Sequence, residues 1–203
     1  MKSLTNFILE SSSQTENKYR LTDETTRINA KTLYRIEAMK DFSDVKMGDK
    51  GGYIEKEDNL SQNGNCWVYD NAKVYNNAKV FDNVKVSEDA EIYDNAKING
   101  RATVYHNAKI YDNARVSGDA KIYDNAKIYG RSSITGNAEV YGDAEVYDKA
   151  EVYGHAKVSG NAKIYDDAEV SGNAKIDGST EVRGKMKVNN YVNQNINIYK
   201  YKK

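Results

Sequence analysis

The sequence predicts an all-β protein whose chain winds into a parallel β-helix of triangular cross-section, and three observations lead to this prediction. A Val or Ile stands at every sixth position from Val68 to Val188, 21 times in succession. The residue two positions earlier is Ala in 16 of these 21 units. Gly, Asp and Asn dominate the two positions that separate successive units, and these residues tolerate the left-handed backbone of tight corners. Units with such a short fixed period bury their apolar side only by stacking on one another.

One unit is enough to explain the pattern. Side chains alternate along a strand, so Ala156 and Val158 point inward, Lys157 and Ser159 point outward, and Gly160 begins the corner. A period of six matches neither an α-helix nor a plain alternating strand. We therefore expect three short strands in each coil of 18 residues, and the 21 units give seven coils. Coils stacked about 4.8 Å apart form a prism roughly 30 Å long.

Composition divides the rest of the chain. Residues 1–16 are interpreted as an N-terminal tail or short helix, and residues 17–59 as a β-hairpin that caps the first coil, with KYRL and LYRIEAM as its strands around a polar turn. The repeats occupy residues 60–190. Residues 191–203 form a strand-like tail whose lysines blunt an exposed edge.

Charge and hydropathy narrow the classes of function. Thirty basic and thirty acidic residues cancel, and the mean hydropathy is −0.83. No overall field draws the chain to nucleic acid or to a membrane, and no apolar run has the length of a membrane span. No signal peptide is visible, which favours a cytoplasmic protein. Cys66, the single cysteine, stands in an inward slot and is expected to be a buried thiol.

Arranging the repeats three to a coil sorts the outward residues into three faces. Face 1 carries a column of six tyrosines in consecutive coils, which we call the tyrosine ladder, and an arginine at its end: Tyr75, Tyr93, Tyr111, Tyr129, Tyr147, Tyr165 and Arg183. The column on face 2 is Tyr69, Ser87, Tyr105, Tyr123, Tyr141, Ser159 and Asp177. The column on face 3 is Phe81, Asn99, Ser117, Thr135, Tyr153, Ser171 and Asn189. The tyrosine ladder either stabilises an exposed sheet by stacking or forms an interface, and its length favours an interface.

The corners offer weaker signals. The corner after face 1 is rich in aspartate, which could hold Ca²⁺ or simply serve the turn, and turn chemistry is favoured because no calcium loop is present. The corner after face 3 is glycine in five consecutive coils: Gly100, Gly118, Gly136, Gly154 and Gly172. Either another molecule approaches the backbone closely there or the turn itself requires glycine. The residue before each Val or Ile is mostly basic in the first half of the repeats. Acidic corners offset this charge, so a nucleic-acid groove is a weak interpretation.

The repeat resembles the hexapeptide-repeat, left-handed parallel β-helix superfamily, which is best known from acyltransferases. The left-handed sense is implied by this resemblance alone, since parallel crossovers are ordinarily right-handed. The stretch Leu33 to Ala72 looks like the segment that leads into the repeats of hexapeptide proteins common in phage and prophage genomes. Many of those proteins are described only as transferase-like.

The resemblance implies a test for enzymatic activity. Hexapeptide acyltransferases generally use a histidine as general base at a groove between subunits of a trimer, and this chain offers only His106 and His155. The register puts them at different corners, where each replaces a polar turn residue, so a role as corner filler is favoured. His106, beside Tyr105, Asn107 and Arg101, is the better candidate if an enzyme is present. The 21 units contain no loop excursion, and the sequence shows no nucleophile motif, phosphate loop or Cys/His metal cluster.

The favoured interpretation is a non-catalytic scaffold that binds a protein partner through the tyrosine ladder and Arg183, with no cofactor and no metal. The phage-like segment suggests a phage or mobile-element protein in the host cytoplasm that docks on and inhibits a host factor, such as a CRISPR-type defence nuclease. An alternative is a trimeric acyltransferase that uses acyl-CoA with His106 as general base. A second alternative is a self-assembling structural protein. A homo-oligomer, either a dimer or a trimer, is compatible with each of these functions.

Overall fold

The computed structural model describes residues 17–190 and 197–199, and in them the chain forms a parallel β-solenoid with an antiparallel cap at its N-terminal end. The predicted all-β fold of stacked coils is confirmed. Among the described residues the one helical element is a 3₁₀ turn, Glu57–Asn59. None of the described helical structure is long and apolar enough to cross a membrane. The predictions for residues 1–16, 191–196 and 200–203 lie outside the described residues.

Three strands form the cap: β1 (Tyr19–Ile28), β2 (Lys31–Ala38) and β3 (Lys50–Ile54). The sequence interpretation ended the first strand near Leu21, but β1 continues to Ile28 and the chain turns at Asn29, whose φ is 53°. The pairing of β1 with β2 is irregular between Leu21 and Thr25. The polar segment, for which the sequence alone suggested a turn, therefore lies within β1 at this irregular pairing.

The repeats supply strands of two or three residues. In chain order they are β4 (Trp67–Val68), β5 (Lys73–Val74), β6 (Lys79–Val80), β7 (Lys85–Val86), β8 (Glu91–Ile92), β9 (Lys97–Ile98), β10 (Thr103–Val104), β11 (Lys109–Ile110), β12 (Arg115–Val116), β13 (Lys121–Ile122), β14 (Lys127–Ile128), β15 (Ser133–Ile134), β16 (Glu139–Val140), β17 (Glu145–Val146), β18 (Glu151–Val152), β19 (Lys157–Val158), β20 (Lys163–Ile164), β21 (Glu169–Val170), β22 (Lys175–Ile176), β23 (Glu181–Arg183), β24 (Lys187–Val188) and β25 (Asn197–Tyr199).

Every third strand pairs in parallel, so residues 18 apart lie directly above one another, as Lys109 does with Lys127. Face 1 is an 11-stranded sheet in the order β1-β2-β3-β5-β8-β11-β14-β17-β20-β23-β25. Face 2 runs from β4 to β22 and face 3 from β6 to β24, each with seven strands. The chain passes from face 2 to face 1 and then to face 3 in every coil.

The core is the column of inward side chains predicted from the repeat. The aliphatic slot from Val68 to Ile176 and the Ala slot beside it are essentially inaccessible to solvent. At the N-terminal end the ring of Trp67 packs edge-on against Tyr19 and Phe42, with ring centroids 6.2 and 5.4 Å apart. Tyr19 and Trp67 are fully buried, so the cap closes the open end of the solenoid with apolar surface.

Candidate functional site

The tyrosine ladder is a continuous stack of parallel rings. Successive ring centroids from Tyr75 to Tyr165 lie 4.9–5.0 Å apart, with interplanar angles of 7° or less. This spacing is that of the paired strands beneath, so each ring stands directly above the next. The predicted column is therefore real, and β23 ends at Arg183 in the same register. Whether a partner binds there stays a prediction.

The tyrosine ladder combines apolar rings, which are buried to different degrees, with polar hydroxyl groups. Tyr75 is buried against Leu33 and Tyr53 of the cap, whereas Tyr93 and the rings beyond it are partly exposed. The hydroxyl group of Tyr165 donates to the carboxylate of Glu181 at 3.0 Å, two residues short of one coil further on. Partial burial, followed by nearby acidic groups and phenols, raises the pKa of Tyr93 and Tyr147 to about 12. The phenols therefore stay neutral hydrogen-bond donors at neutral pH.

Face 2 carries a shorter stack. Tyr105, Tyr123 and Tyr141 lie 4.9 and 4.8 Å apart between ring centroids. Tyr69 stands at the cap end of this face and donates to Asp44 at 3.0 Å. Faces 1 and 2 are thus both rich in aromatic rings, and one edge of the prism separates them.

His106 lies on that edge. It occupies the left-handed corner position after β10, with φ 56°. Its Nδ1 is 2.9 Å from Oδ1 of Asp124, one coil further on, and its Nε2 is 3.5 Å from Oε2 of Glu88, one coil earlier. The imidazole also packs edge-on against Tyr105, with ring centroids 4.8 Å apart. The result is a carboxylate–imidazole–carboxylate stack that is half exposed to solvent.

The stack contains two partners that sequence reasoning missed. Glu88 and Asp124 are 18 residues before and after His106, so the repeat itself was the signal that could have found them. The expectation that Arg101 lies beside His106 is wrong. The Arg101 guanidinium pairs with Asp119 at a different corner, at 2.6 and 2.7 Å. A short carboxylate contact at Nδ1 fixes the ring orientation, whereas Nε2 has only the longer contact of 3.5 Å with Glu88.

His155 is placed as the register predicted, away from His106. It follows β18 at the corner between faces 3 and 2, and its imidazole is exposed. No hydrogen bond or ion pair joins that imidazole to another described residue. The two histidines therefore do not form a pair.

Aspartate carboxylates at the corners accept hydrogen bonds from backbone amides. Oδ2 of Asp112 accepts from the amide of Gly130 at 3.1 Å, and Oδ2 of Asp124 accepts in the same way from Gly142. Each bond ties a corner to the corner one coil further on. Among the described residues no group of three or more His, Cys, Asp and Glu side chains has an arrangement that could hold a metal ion. The structure thus supports turn chemistry at these corners.

A buried polar pair lies beneath the cap. Cys66 is a free, fully buried thiol, as predicted. Lys18, which the sequence interpretation did not single out, is also buried, and its Nζ donates to the carbonyl oxygen of Cys66 at 2.9 Å. Burial lowers the pKa of Lys18 and raises that of Cys66. The cap encloses this pair, since Lys18 is 1% and Cys66 0% exposed.

Two comparisons with known proteins found sequences similar to part of this chain. A sequence model described as "YdcK Beta solenoid repeat" matches residues 108–121. The protein named "Uncharacterized acetyltransferase YdcK" from Escherichia coli (strain K12) is 41% identical over 61 residues, which cover 26% of this chain and 19% of the relative. The chain thus spans about a fifth of the length of this curated relative. The first match is to a β-solenoid repeat, in agreement with the fold described above.

Proposed function

We propose that the chain is an acyltransferase that uses an acyl-CoA thioester, with His106 as general base. The observation that carries the proposal is the 2.9 Å contact between Nδ1 of His106 and Asp124. A carboxylate in this position selects the tautomer that presents an unprotonated Nε2 and stabilises the imidazolium formed when that nitrogen takes a proton. The name of the Escherichia coli relative, an uncharacterized acetyltransferase, gives independent support for this reaction class.

The proposed step balances as an acyl transfer. Nε2 of His106 removes a proton from an acceptor hydroxyl or amine, whose oxygen or nitrogen attacks the thioester carbonyl carbon. The carbon–sulfur bond breaks, and the imidazolium returns the proton to the departing thiolate. Glu88 lies 3.5 Å from Nε2, too far for a strong hydrogen bond, so it stabilises the imidazolium without occupying the basic nitrogen.

The test is thioester turnover with a matched pair of histidine variants. The wild-type chain is assayed with acetyl-CoA and a panel of amines and sugars by following release of the thiol. We expect His106→Ala to lower kcat by about 10²–10⁴-fold, whereas His155→Ala, at an exposed corner without side-chain partners, leaves it unchanged. We expect Asp124→Asn to lower kcat, because the amide no longer selects the tautomer that leaves Nε2 unprotonated. No turnover and no heat of acetyl-CoA binding in calorimetry would reject the proposal.

A second candidate function is a protein-binding scaffold, which the tyrosine ladder favours. Five of its rings are partly exposed and stand in one rigid line, and tyrosine is the type of residue that supplies binding energy at interfaces. The proposed partner is a host protein, with a defence nuclease as the example drawn from the phage-like leading segment. Replacing Tyr111 and Tyr129 with Ser would remove the centre of the strip.

The two functions are separable by experiment. A scaffold predicts that the Tyr111→Ser/Tyr129→Ser variant loses a partner that the wild-type chain and His106→Ala both retain in affinity capture. An acyltransferase predicts that His106→Ala loses turnover while its captured proteins are unchanged. Capture that is identical for the wild type and the double tyrosine variant would count against the scaffold.

A further inference from the structure

Face 3 distributes its charge unlike the other two faces. The residues that precede the aliphatic slot on its seven strands are basic in the first three and acidic in the fifth and sixth, with a lysine in the last: Lys79, Lys97, Arg115, Ser133, Glu151, Glu169 and Lys187. Strand pairing places Lys97 directly beside Lys79 and Arg115, and Glu151 beside Glu169. Like charges directly opposite each other in a sheet are unfavourable. The isolated chain gains nothing from this arrangement.

On faces 1 and 2, acidic and basic residues of neighbouring strands form ion pairs within the chain. Glu145 pairs with Lys127 on face 1 at 3.4 Å, and Glu139 pairs with Lys157 on face 2 at 2.9 Å. On face 3 the exposed side chains of Lys97, Arg115 and Glu151 form no ion pair with another described residue. Glu169 is engaged within the chain, by Lys187 at 2.7 Å and by the hydroxyl group of Tyr153 at 3.4 Å. The charges of Lys97, Arg115 and Glu151 are therefore open to a molecule outside the chain.

We propose that face 3 docks on face 3 of a second copy, with the two solenoid axes antiparallel. The pattern is complementary to itself about the middle strand, β15. A two-fold axis parallel to that strand places Arg115 opposite Glu151 of the second copy, because each lies one coil from Ser133. It places Lys97 opposite Glu169, two coils away. Each interaction occurs twice, as an isologous interface requires.

The shape of face 3 has the same symmetry. Its outward column is small or polar except for Phe81, in the first coil, and Tyr153, which is 37% exposed. The same two-fold axis places Tyr153 opposite Ser117 of the second copy, where a small side chain leaves room for a ring. The five corner glycines from Gly100 to Gly172 are centred on Gly136, in the coil that contains β15. They leave the first position of that corner, next to face 3, without a side chain in five consecutive coils.

The area is sufficient for a stable dimer. Seven strands at about 4.8 Å and a width of about six residues give roughly 700 Å² on each copy, close to the 800 Å² of a standard interface. Less favourable pairings fall at the margins. Lys79 lies opposite Lys187 at exposed positions, and two pairs of partly or fully exposed aspartates, Asp112 with Asp148 and Asp94 with Asp166, face each other at one corner, where solvent screens the charges.

The dimer goes beyond the proposed catalytic function and does not depend on it. His106 lies on the edge between faces 1 and 2, on the far side of the prism from face 3. Both the imidazole and the tyrosine ladder stay exposed in the proposed dimer. Each dimer then carries two separate candidate sites that point away from each other.

Sedimentation equilibrium with charge-reversed variants tests the proposal. We expect the wild-type chain to be a dimer that weakens as salt is added. Arg115→Glu and Glu151→Arg should each raise the dimer dissociation constant at least about tenfold, because each change creates two repulsive contacts. An equimolar mixture of the two variants should dimerise again, since one copy then carries glutamate at both positions and the other arginine at both.

A charge reversal on another face serves as the control. Lys175→Glu changes the charge by the same amount on face 2 and should leave the dimer intact. Circular dichroism of each variant establishes that it is folded, and restoration in the mixture separates lost contacts from lost structure. A monomeric wild type, a dimer indifferent to Arg115→Glu, or a mixture that stays monomeric would each overturn the proposal.

Discussion

Nζ of Lys18 lies 3.3 Å from Sγ of Cys66 in a space closed to solvent. An ammonium group is costly to bury, and here the carbonyl oxygen of Cys66 and the ring of Phe42, 5.3 Å from Nζ to its centroid, compensate part of the cost. The pair ties the start of the cap to the first coil. The cap and the solenoid are therefore joined by buried polar contacts as well as by apolar surface.

Removing this lysine should loosen the cap. Lys18→Ala leaves the Cys66 carbonyl without its donor and opens a cavity, so we expect it to lower the free energy of unfolding by about 2–4 kcal/mol. Lys18→Met keeps the volume and removes the buried charge, and we expect a loss of about 1 kcal/mol. Urea unfolding followed by Trp67 fluorescence measures both. A larger loss for Met than for Ala would contradict this account.

Strongly alkaline solution should unfold the protein. Burial raises the pKa of Tyr93, Tyr123 and Tyr147 to about 12, above the 10.0 of a free phenol. A raised folded-state pKa contributes stability that is complete below pH 10.0 and is lost as the pH rises toward about 12, because the unfolded chain releases its protons first. Thermal melting between these limits should show a steep loss of stability. Tyr93→Phe/Tyr147→Phe should flatten that slope, and an unchanged slope would refute the assignment.

Gly51 should tolerate no side chain. A Cβ at this position would lie 2.5 Å from the carbonyl oxygen of Val68 and 2.7 Å from the side chain of Ile36. Backbone and core cannot both move, so Gly51→Ala should destabilise the protein by more than about 3 kcal/mol. Gly48→Ala meets no atom within 4 Å and is strained only by its φ of 91°, which should cost about 1–2 kcal/mol. Equal effects in thermal melts would contradict the packing argument.

Truncation of the same aliphatic slot should cost more in the middle of the solenoid than at its end. Val140 is fully buried, while Val188 in the last coil of repeats is 8% exposed. We expect Val140→Ala to lower the free energy of unfolding by about 2 kcal/mol and Val188→Ala by about 1 kcal/mol, because each coil is supported only by its neighbours. Denaturant unfolding of the two variants measures the difference. A greater cost at Val188 would reject the nearest-neighbour description.

The repeat made most of the fold predictable. Its period fixed which side chains enter the core and which stand above one another, and the 4.9 Å separation of the Tyr93 and Tyr111 rings follows from the strand spacing alone. The cap was harder to predict because its strands carry no period. The polar stretch before Asn29 suggests a turn by composition, yet it forms part of β1 since hairpin pairing satisfies its backbone.

The candidate site was half predictable. His106 was recognised by residue type, but its contacts were sought among neighbours in sequence, and Arg101 proved to belong to another corner. Counting 18 residues in either direction would have found Glu88 and Asp124. The burial of Lys18 was beyond sequence reasoning, because a lysine before a strand is normally solvated and only the fold of the cap encloses it.

The vertical pairing of residues 18 apart separates what the chain needs for folding from what keeps the tyrosine ladder in one line. Removal of six residues would leave every inward slot filled by the same kinds of side chain, yet everything downstream would rotate by a third of a turn, and the tyrosine line would break into two fragments on different sides. Removal of eighteen would merely shorten the rod and keep that line straight. Selection for a working surface would therefore accept changes of length only in whole coils.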